Sequence, residues 1–389
     1  MKKVISFVYR LLFSLFSMLP VTKKTIIFES FNGKLPSDNP YYIFKELERR
    51  ESDYKLYWGI KKELYSKATQ TFPDIVFVKR FSISWLLKVT RAKFWVFNAR
   101  MPIWLRKNKQ TIYIQTWHGT PLKKLGLDIE NVRMPGTKTD LYHENFVKEA
   151  DRWDYLIAPN LYSEKIFQNA FNYKNTFLEI GYPRNDKLVR HKNDVSLKKQ
   201  LKLRILGKET GKVYLYAPTW RDDYFVSIGK YKFHMPFDLE KITASIGKED
   251  VLIIRPHYLV ADSIDILGYE KNVFISLDED INDLFLISDT LITDYSSVFF
   301  DYSILRRPMI FYPYDLAYYE NSLRGFYLDY NQVPGDIVYK EEELYNRLSM
   351  QYEKSSIEKI DSFFNTYNDW ETENDSSKVV NLILEVEGK

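Results

Sequence analysis

The chain has 389 residues, of which 45% are apolar and none is cysteine. That length favours two cores over one, and the missing thiols exclude disulfides, thiolate zinc sites and cysteine nucleophiles. The net charge of +4 is concentrated at one end: Lys2, Lys3, Arg10, Lys23 and Lys24 give residues 1–24 a charge of +5 with no acid, so the other 365 sum to −1. A basic excess confined to one terminus speaks against a nucleic-acid-binding body.

Residues 4–19, VISFVYRLLFSLFSML, come first in the chain. Arg10 breaks the run, which falls short of the roughly 20 apolar residues that cross a bilayer. Pro20 follows where a signal peptide would offer small residues for cleavage. At about 100° per residue, Lys3, Ser6, Arg10, Ser14 and Ser17 fall within an arc of roughly 80°, and apolar side chains fill the rest. The pattern predicts an amphipathic helix over 1–21 that lies on the cytoplasmic face of the membrane as a peripheral anchor. The plainer alternative is a helix packed on the protein's own core.

Short runs of β-branched and aromatic residues then recur at 25–29, 55–60, 75–78, 94–98, 111–116 and 154–158, and again at 213–217, 251–255, 273–276, 290–294 and 309–312. Such near-continuously apolar strands, spaced by helix-length connections, predict parallel sheets covered on both faces. Residues 190–212 are rich in Lys and Arg and poor in aromatics, which reads as a solvated junction. The domains expected are 22–200 on the acceptor side and 201–389 on the donor side, the last helix packing back on the first. Two parallel α/β domains face each other across a cleft at the carboxyl ends of their strands.

The residues with chemical character follow those strand ends. His118, in Gln115-Thr-Trp-His-Gly-Thr-Pro-Leu-Lys-Lys, has a ring suited to taking a proton near neutral pH, and Gly119 leaves backbone room beside it. Thr120 and Lys123 are substrate-contact candidates in the same stretch. Arg255 and His257, two residues apart in RPHY, suit a diphosphate, with the guanidinium fork on its oxygens. Asp294, Ser296 and Ser297 lie between a strand and an apolar run, where a helix start offers N–H groups and hydroxyls to an anion. Asp301, one turn on, either reaches a ribose or glycerol hydroxyl or faces solvent. Thr219 and Arg221 in APTWRDD are further phosphate candidates, and the Asp222–Asp223 pair lacks partners at metal-ligand spacing. No metal and no cofactor is expected. His143, His191 and His234 have no such context and read as surface residues.

The stretches QTWHGTPLKKLGLD (115–128), RWDYLIAPN (152–160), IGYPRNDKL (180–188), YAPTWRDD (216–223), IIRPHYLV (253–260) and ISDTLITDYSSVFFDYSILRRPMIFYPYD (287–315), with LRGFYLDY (323–330), resemble the CDP-glycerol glycerophosphotransferase family. The resemblance implies a GT-B-like architecture of two Rossmann-type domains, CDP-glycerol as donor, and peripheral membrane attachment. It implies that His118 and His257 match two functionally essential histidines, and that Ser296 and Ser297 contact the donor phosphates. The acceptor it implies is an undecaprenyl-diphosphate-linked glycan or glycerol phosphate. The length is similar to a minimal catalytic unit of the family, without the extra N-terminal region of its larger polymerases. Where some members read R-M-H this chain reads R-P-H.

The expected reaction is attack of an acceptor hydroxyl on the β-phosphorus of CDP-glycerol with release of CMP, helped mostly by positioning and charge. His118 is the expected base, with His257 and Arg255 on the diphosphate; the two histidines can exchange roles. Ribitol phosphate transfer from CDP-ribitol, sugar transfer by a GT-B glycosyltransferase, and an inert membrane-bound scaffold are the alternatives. Nucleotide release from CDP-glycerol against UDP-sugars separates them.

Overall fold

The computed structural model describes residues 2–132, 137–219, 225–227, 230–231, 235–256, 264–322, 325–352 and 354–387. Strands β1 (Thr22–Glu29), β2 (Lys55–Ile60), β3 (Phe77–Lys79), β4 (Ala92–Phe97), β5 (Ile112–Gln115), β6 (Tyr155–Ala158) and β7 (Thr176–Glu179) form one sheet, ordered β3-β2-β1-β4-β5-β6-β7. Every neighbouring pair is parallel, with Phe28 beside Trp58 and Ile27 beside Trp95 in register. β8 (Val213–Ala217) opens the second half, and β9 (Phe225–Ser227) and β10 (Lys230–Tyr231) make a separate antiparallel pair. With β8, strands β11 (Val251–Ile254), β12 (Val273–Ile275), β13 (Thr290–Thr293), β14 (Met309–Phe311) and β15 (Asp336–Ile337) build a second parallel sheet, β12-β11-β8-β13-β14-β15.

The strands form where the chain is apolar on both faces, because helices roof each sheet above and below. Every residue of β8, VYLYA, is buried. Trp58, Trp85, Trp95 and Trp153 are fully buried in the first half, each worth on the order of 2–3 kcal/mol of apolar burial. Besides the β9–β10 pair, the strands absent from the sequence reading lie at the margins of the two large sheets. β7, TFLE, is half exposed at a sheet edge, and β15 is two residues long, so neither carries a buried apolar run.

The last helix, Asp375–Glu387, crosses back to the first sheet. Its Val379, Val380 and Ile383 join Ile26, Phe28 and Ile43 in one core cluster. Against it lies α2 (Asp38–Arg49): Glu46 accepts from the Ser377 hydroxyl at 2.9 Å, and Arg50 reaches Asn381 at 2.7 Å.

The N-terminal helix, α1 (Lys2–Phe16), has two apolar sides. Phe13 is fully buried against Trp85 and Trp104, with Tyr9, Leu12 and Phe16 packed beside it. The opposite side leaves Phe7, Val8, Leu11 and Leu15 exposed, Phe7 by 68%. The helix thus packs on the protein's core along one stripe, which the interfacial expectation alone did not include. No described helix is long and apolar enough to cross a membrane.

Candidate active site

Both sheets change winding direction at one point, between β1 and β4 in the first and between β8 and β13 in the second. Loops leaving adjacent strands diverge there, which opens a crevice at the strand ends. The chain after β5 carries His118 into this region from one side, and the chain after β13 carries Ser296 and Ser297 from the other. The two sides nearly touch: a β-carbon on Gly119 would lie 3.1 Å from the Ser297 hydroxyl.

His118 follows a strained residue. Trp117 has φ +51°, a left-handed conformation costly for a bulky side chain. Three contacts hold it: Trp117 N donates to the Gln115 side chain at 3.0 Å, and the Asn39 amide donates to the carbonyls of Thr116 at 3.3 Å and Trp117 at 3.2 Å. The imidazole stacks on Trp117 and meets Phe31 edge-on, with centroids 4.7 and 5.5 Å away. Its Nδ1 lies 2.6 Å from the Asn98 carbonyl at the end of β4. A carbonyl only accepts, so Nδ1 carries the proton and Nε2 keeps its lone pair. As a whole residue His118 is exposed, while its Nδ1 contact is part-buried. Crowding by surrounding protein lowers its pKa from the ordinary 6.5, against the opposing pull of Asp38 and the Asn98 bond; Arg184 and Arg100 push it down further.

On the second lobe, Asp294 is 1% exposed. One of its oxygens accepts from Thr219 N at 2.7 Å and from Tyr295 N at 2.6 Å, and its carbonyl accepts from the Tyr330 hydroxyl at 2.7 Å. It therefore ties the loop after β8 to the loop after β13 from a buried position. Ser297 occupies the cap position of the helix Val298–Tyr302 but makes no side-chain cap hydrogen bond. Arg255, at the end of β11, donates to the Ser276 carbonyl at 2.9 Å; burial lowers its pKa, opposed by Asp280, Asp278 and Glu279.

Asp301 does not face solvent. It is 6% exposed and takes Arg184 Nη2 at 2.8 Å and Nε at 3.2 Å on one oxygen, with the Asn185 amide at 3.1 Å on the other. With both oxygens engaged, it is a joint between the lobes. Arg184 is 4% exposed and also grips Asp38 at 3.1 Å, its main-chain N donates to Asn39 at 3.2 Å, and its carbonyl accepts from Asn282. Burial opposes the Arg184 charge, but Asp301 and Asp38 outweigh it and raise the pKa. One path of hydrogen bonds thus runs from the Ser297 helix through Asp301, Arg184 and Asn39 to the carbonyls just before His118. Sequence reasoning missed Asn39, Asn98 and Arg184; the GYPRND run was visible, but its partners are far apart in the chain.

Thr120 is buried, and the main chain around Lys123 is zipped to the second lobe: Tyr327 N donates to Leu122 O at 2.9 Å and Lys124 N to Gly325 O at 3.2 Å. The Lys123 ammonium lies 5.7 Å from the Tyr319 ring centroid. His257, Arg221 and His234 lie outside the described residues. His143 and His191 are tied locally, to the Ile129 carbonyl and to Asp194. Among the described residues no group of three or more His, Asp or Glu side chains is placed to hold a metal ion.

Residues 11–385 match the family model described as CDP-Glycerol:Poly(glycerophosphate) glycerophosphotransferase. A teichoic acid poly(glycerol phosphate) polymerase of Bacillus spizizenii is 44% identical over 97% of this chain and 96% of its own. A teichoic acid glycerol-phosphate transferase of Staphylococcus aureus is 47% identical over 93% and 92%. A teichoic acid poly(ribitol-phosphate) polymerase of Bacillus spizizenii is more distant, at 25% over 98% and 60%. The structure of the wall teichoic acid polymerase TagF aligns with a TM-score of 0.90 and 40% identity, covering 100% of this chain and 95% of that one. A variant of that polymerase has also been solved after a soak with CDPG, with a TM-score of 0.90.

Proposed function

The chain belongs to the CDP-glycerol:poly(glycerophosphate) glycerophosphotransferase family, and from that membership we propose how its cleft works. The protein transfers glycerol phosphate from CDP-glycerol in teichoic acid biosynthesis. The acceptor in this reading is a hydroxyl of a lipid-linked teichoic acid precursor, an undecaprenyl-diphosphate-linked glycan or its first glycerol phosphate. That hydroxyl oxygen bonds to the β-phosphorus while the bond from phosphorus to the bridging oxygen breaks. CMP leaves with the bridging oxygen, and the hydroxyl proton passes to Nε2 of His118.

The hydrogen bond from His118 Nδ1 to the Asn98 carbonyl carries this assignment. It fixes the tautomer that leaves Nε2 basic, and burial lowers the pKa, which favours the neutral ring. Ser297, across from Gly119, and Ser296 donate to the donor phosphates, where hydroxyls and helix N–H groups meet negative charge. Arg255, with His257 from the same motif, steadies the diphosphate and the departing CMP. Catalysis is then positioning plus charge stabilisation, with the proton handled by one imidazole.

The membrane part of the reading rests on α1. Its exposed apolar side and the +5 charge of residues 1–24 suit a peripheral seat on the anionic cytoplasmic face. That seat would bring the cleft to lipid-linked acceptors.

His118→Ala tests the chemistry. CMP release from CDP-glycerol with a lipid-linked acceptor should fall at least about a hundredfold, while circular dichroism and thermal midpoint stay close to wild type. Near-normal CMP release by the folded variant would remove His118 from the mechanism.

A further inference from the structure

Far from the cleft, at the amino ends of the first sheet's strands, lies a cavity of about 270 Å³. Thr22 and Thr25 of β1, Lys55 and Tyr57 of β2, and Lys88 and Arg91 of the helix Ile83–Arg91 line it. No carboxylate does, and among the described residues none of the three cations pairs with one. Lys88 gives one N–H to the Tyr57 hydroxyl at 2.9 Å, and Arg91 gives its Nε–H to the Pro20 carbonyl at 3.3 Å. An ammonium has three donors and a guanidinium five, so most of their donor capacity is unspent. Lys88 also lies 4.2 Å from the Tyr57 ring centroid, and the Thr25 hydroxyl donates to the Lys23 carbonyl at 3.3 Å. Three cations without a carboxylate partner among the described residues, with the Thr22 and Ser84 hydroxyls, around one hollow make a receptor for a phosphate-type anion.

The surroundings say which kind. Arg91 is tied to the residue that follows the α1 region, and α1 itself packs along this helix through Tyr9, whose hydroxyl donates to the Ser82 carbonyl at 3.1 Å. Leu87, which lines the cavity, and Ile83 on the same helix are exposed, as are Leu15, Met18 and Leu19. The cationic hollow therefore opens beside an apolar surface. A soluble phosphate has no use for such a surface; an amphiphile has.

We propose that this cavity binds the phosphate headgroup of an anionic phospholipid whose acyl chains lie along the exposed apolar sides of α1 and the neighbouring helix. The inference rests on the membrane-surface reading of α1 and adds a specific headgroup site to it. The site sets the orientation of the first domain on the membrane.

Co-sedimentation with phosphatidylglycerol-containing and pure phosphatidylcholine vesicles tests it, using the full chain. Combining Lys55→Gln, Lys88→Gln and Arg91→Gln should weaken binding to the anionic vesicles about tenfold or more and leave phosphatidylcholine binding unchanged. Lys55→Gln alone, at an exposed position, should weaken it about threefold, a safeguard against misfolding of the triple variant. CMP release with a soluble acceptor should stay at the wild-type level. Wild-type binding to anionic vesicles by the folded triple variant overturns the headgroup site. If Leu11→Ser with Leu15→Ser still reduces binding to both vesicle types, α1 attachment stands without it; if that pair also has no effect, the membrane reading falls as well. A thermal midpoint raised by millimolar inorganic phosphate in the wild type alone, with vesicle binding unaffected by the triple variant, would mark a free-phosphate site and overturn the lipid.

Discussion

His118 is oriented by main chain, not by a side-chain partner. The Asn98 carbonyl fixes its tautomer, and the stack on Trp117 fixes its plane, at the cost of a left-handed Trp. The charged groups that face it are Asp38, which favours the imidazolium, and Arg184 and Arg100, which disfavour it. Asp38→Asn should therefore lower the His118 pKa further. A base works only when neutral, so the acidic limb of the kcat/KM profile should move to lower pH in this variant. A limb that stays in place or moves upward would mean that another group titrates there.

At the scale of elements, α2 and the last helix act as one layer on the first sheet although they lie at opposite ends of the chain. Glu46 is the polar link: hydrogen bonding to Arg49 first, then to Arg50 and Ser377, holds its pKa down to about 2 against the cost of burial. A depressed carboxylate contributes stability above its unfolded value near 4.5 and loses it as pH falls toward 2. Glu46→Gln should thus cost about 1–3 kcal/mol at pH 7, with the gap to wild type closing between about pH 4.5 and 2. Urea unfolding at several pH values measures it; a gap that does not change with pH would assign the loss to packing. The α1 region shows why element type is easier to read than element environment. Its polar strip and apolar arc were plain in the sequence, yet nothing local told Phe13, which is buried, from Leu11, which is exposed.

At the scale of the molecule, Arg184 joins the lobes. It holds Asp38 of the first and Asp301 of the second while its main chain engages Asn39 and Asn282. Arg184→Gln leaves one buried carboxylate, Asp301, and one half-buried, Asp38, facing a neutral group, which should cost about 3–5 kcal/mol. Pairing it with Asp301→Asn should return part of that loss, and thermal midpoints of the single and double variants would report the coupling. Strict additivity would mean that the pair does not interact. Arg184→Lys keeps the charge but not the fork, so it should lower kcat more than stability, because the path through Asn39 to the Thr116 and Trp117 carbonyls loosens.

The sequence determined by itself what local pattern can encode. Apolar runs of strand length placed most of both sheets, and the residues after those runs included His118 and Ser297, because a strand end at a winding reversal is where a cleft must open. The edge strands β7 and β15 escaped for want of a buried run. Only the tertiary structure decided the partners. Asp301 read as either a ligand contact or a solvent-facing residue, and nothing local showed that Arg184, 117 positions away, would pair with it. Nor did anything local show that Asp294 would accept from Thr219 N in the loop after β8. A carboxylate's role depends on which cation or N–H the fold delivers to it, and that delivery depends on how distant segments pack.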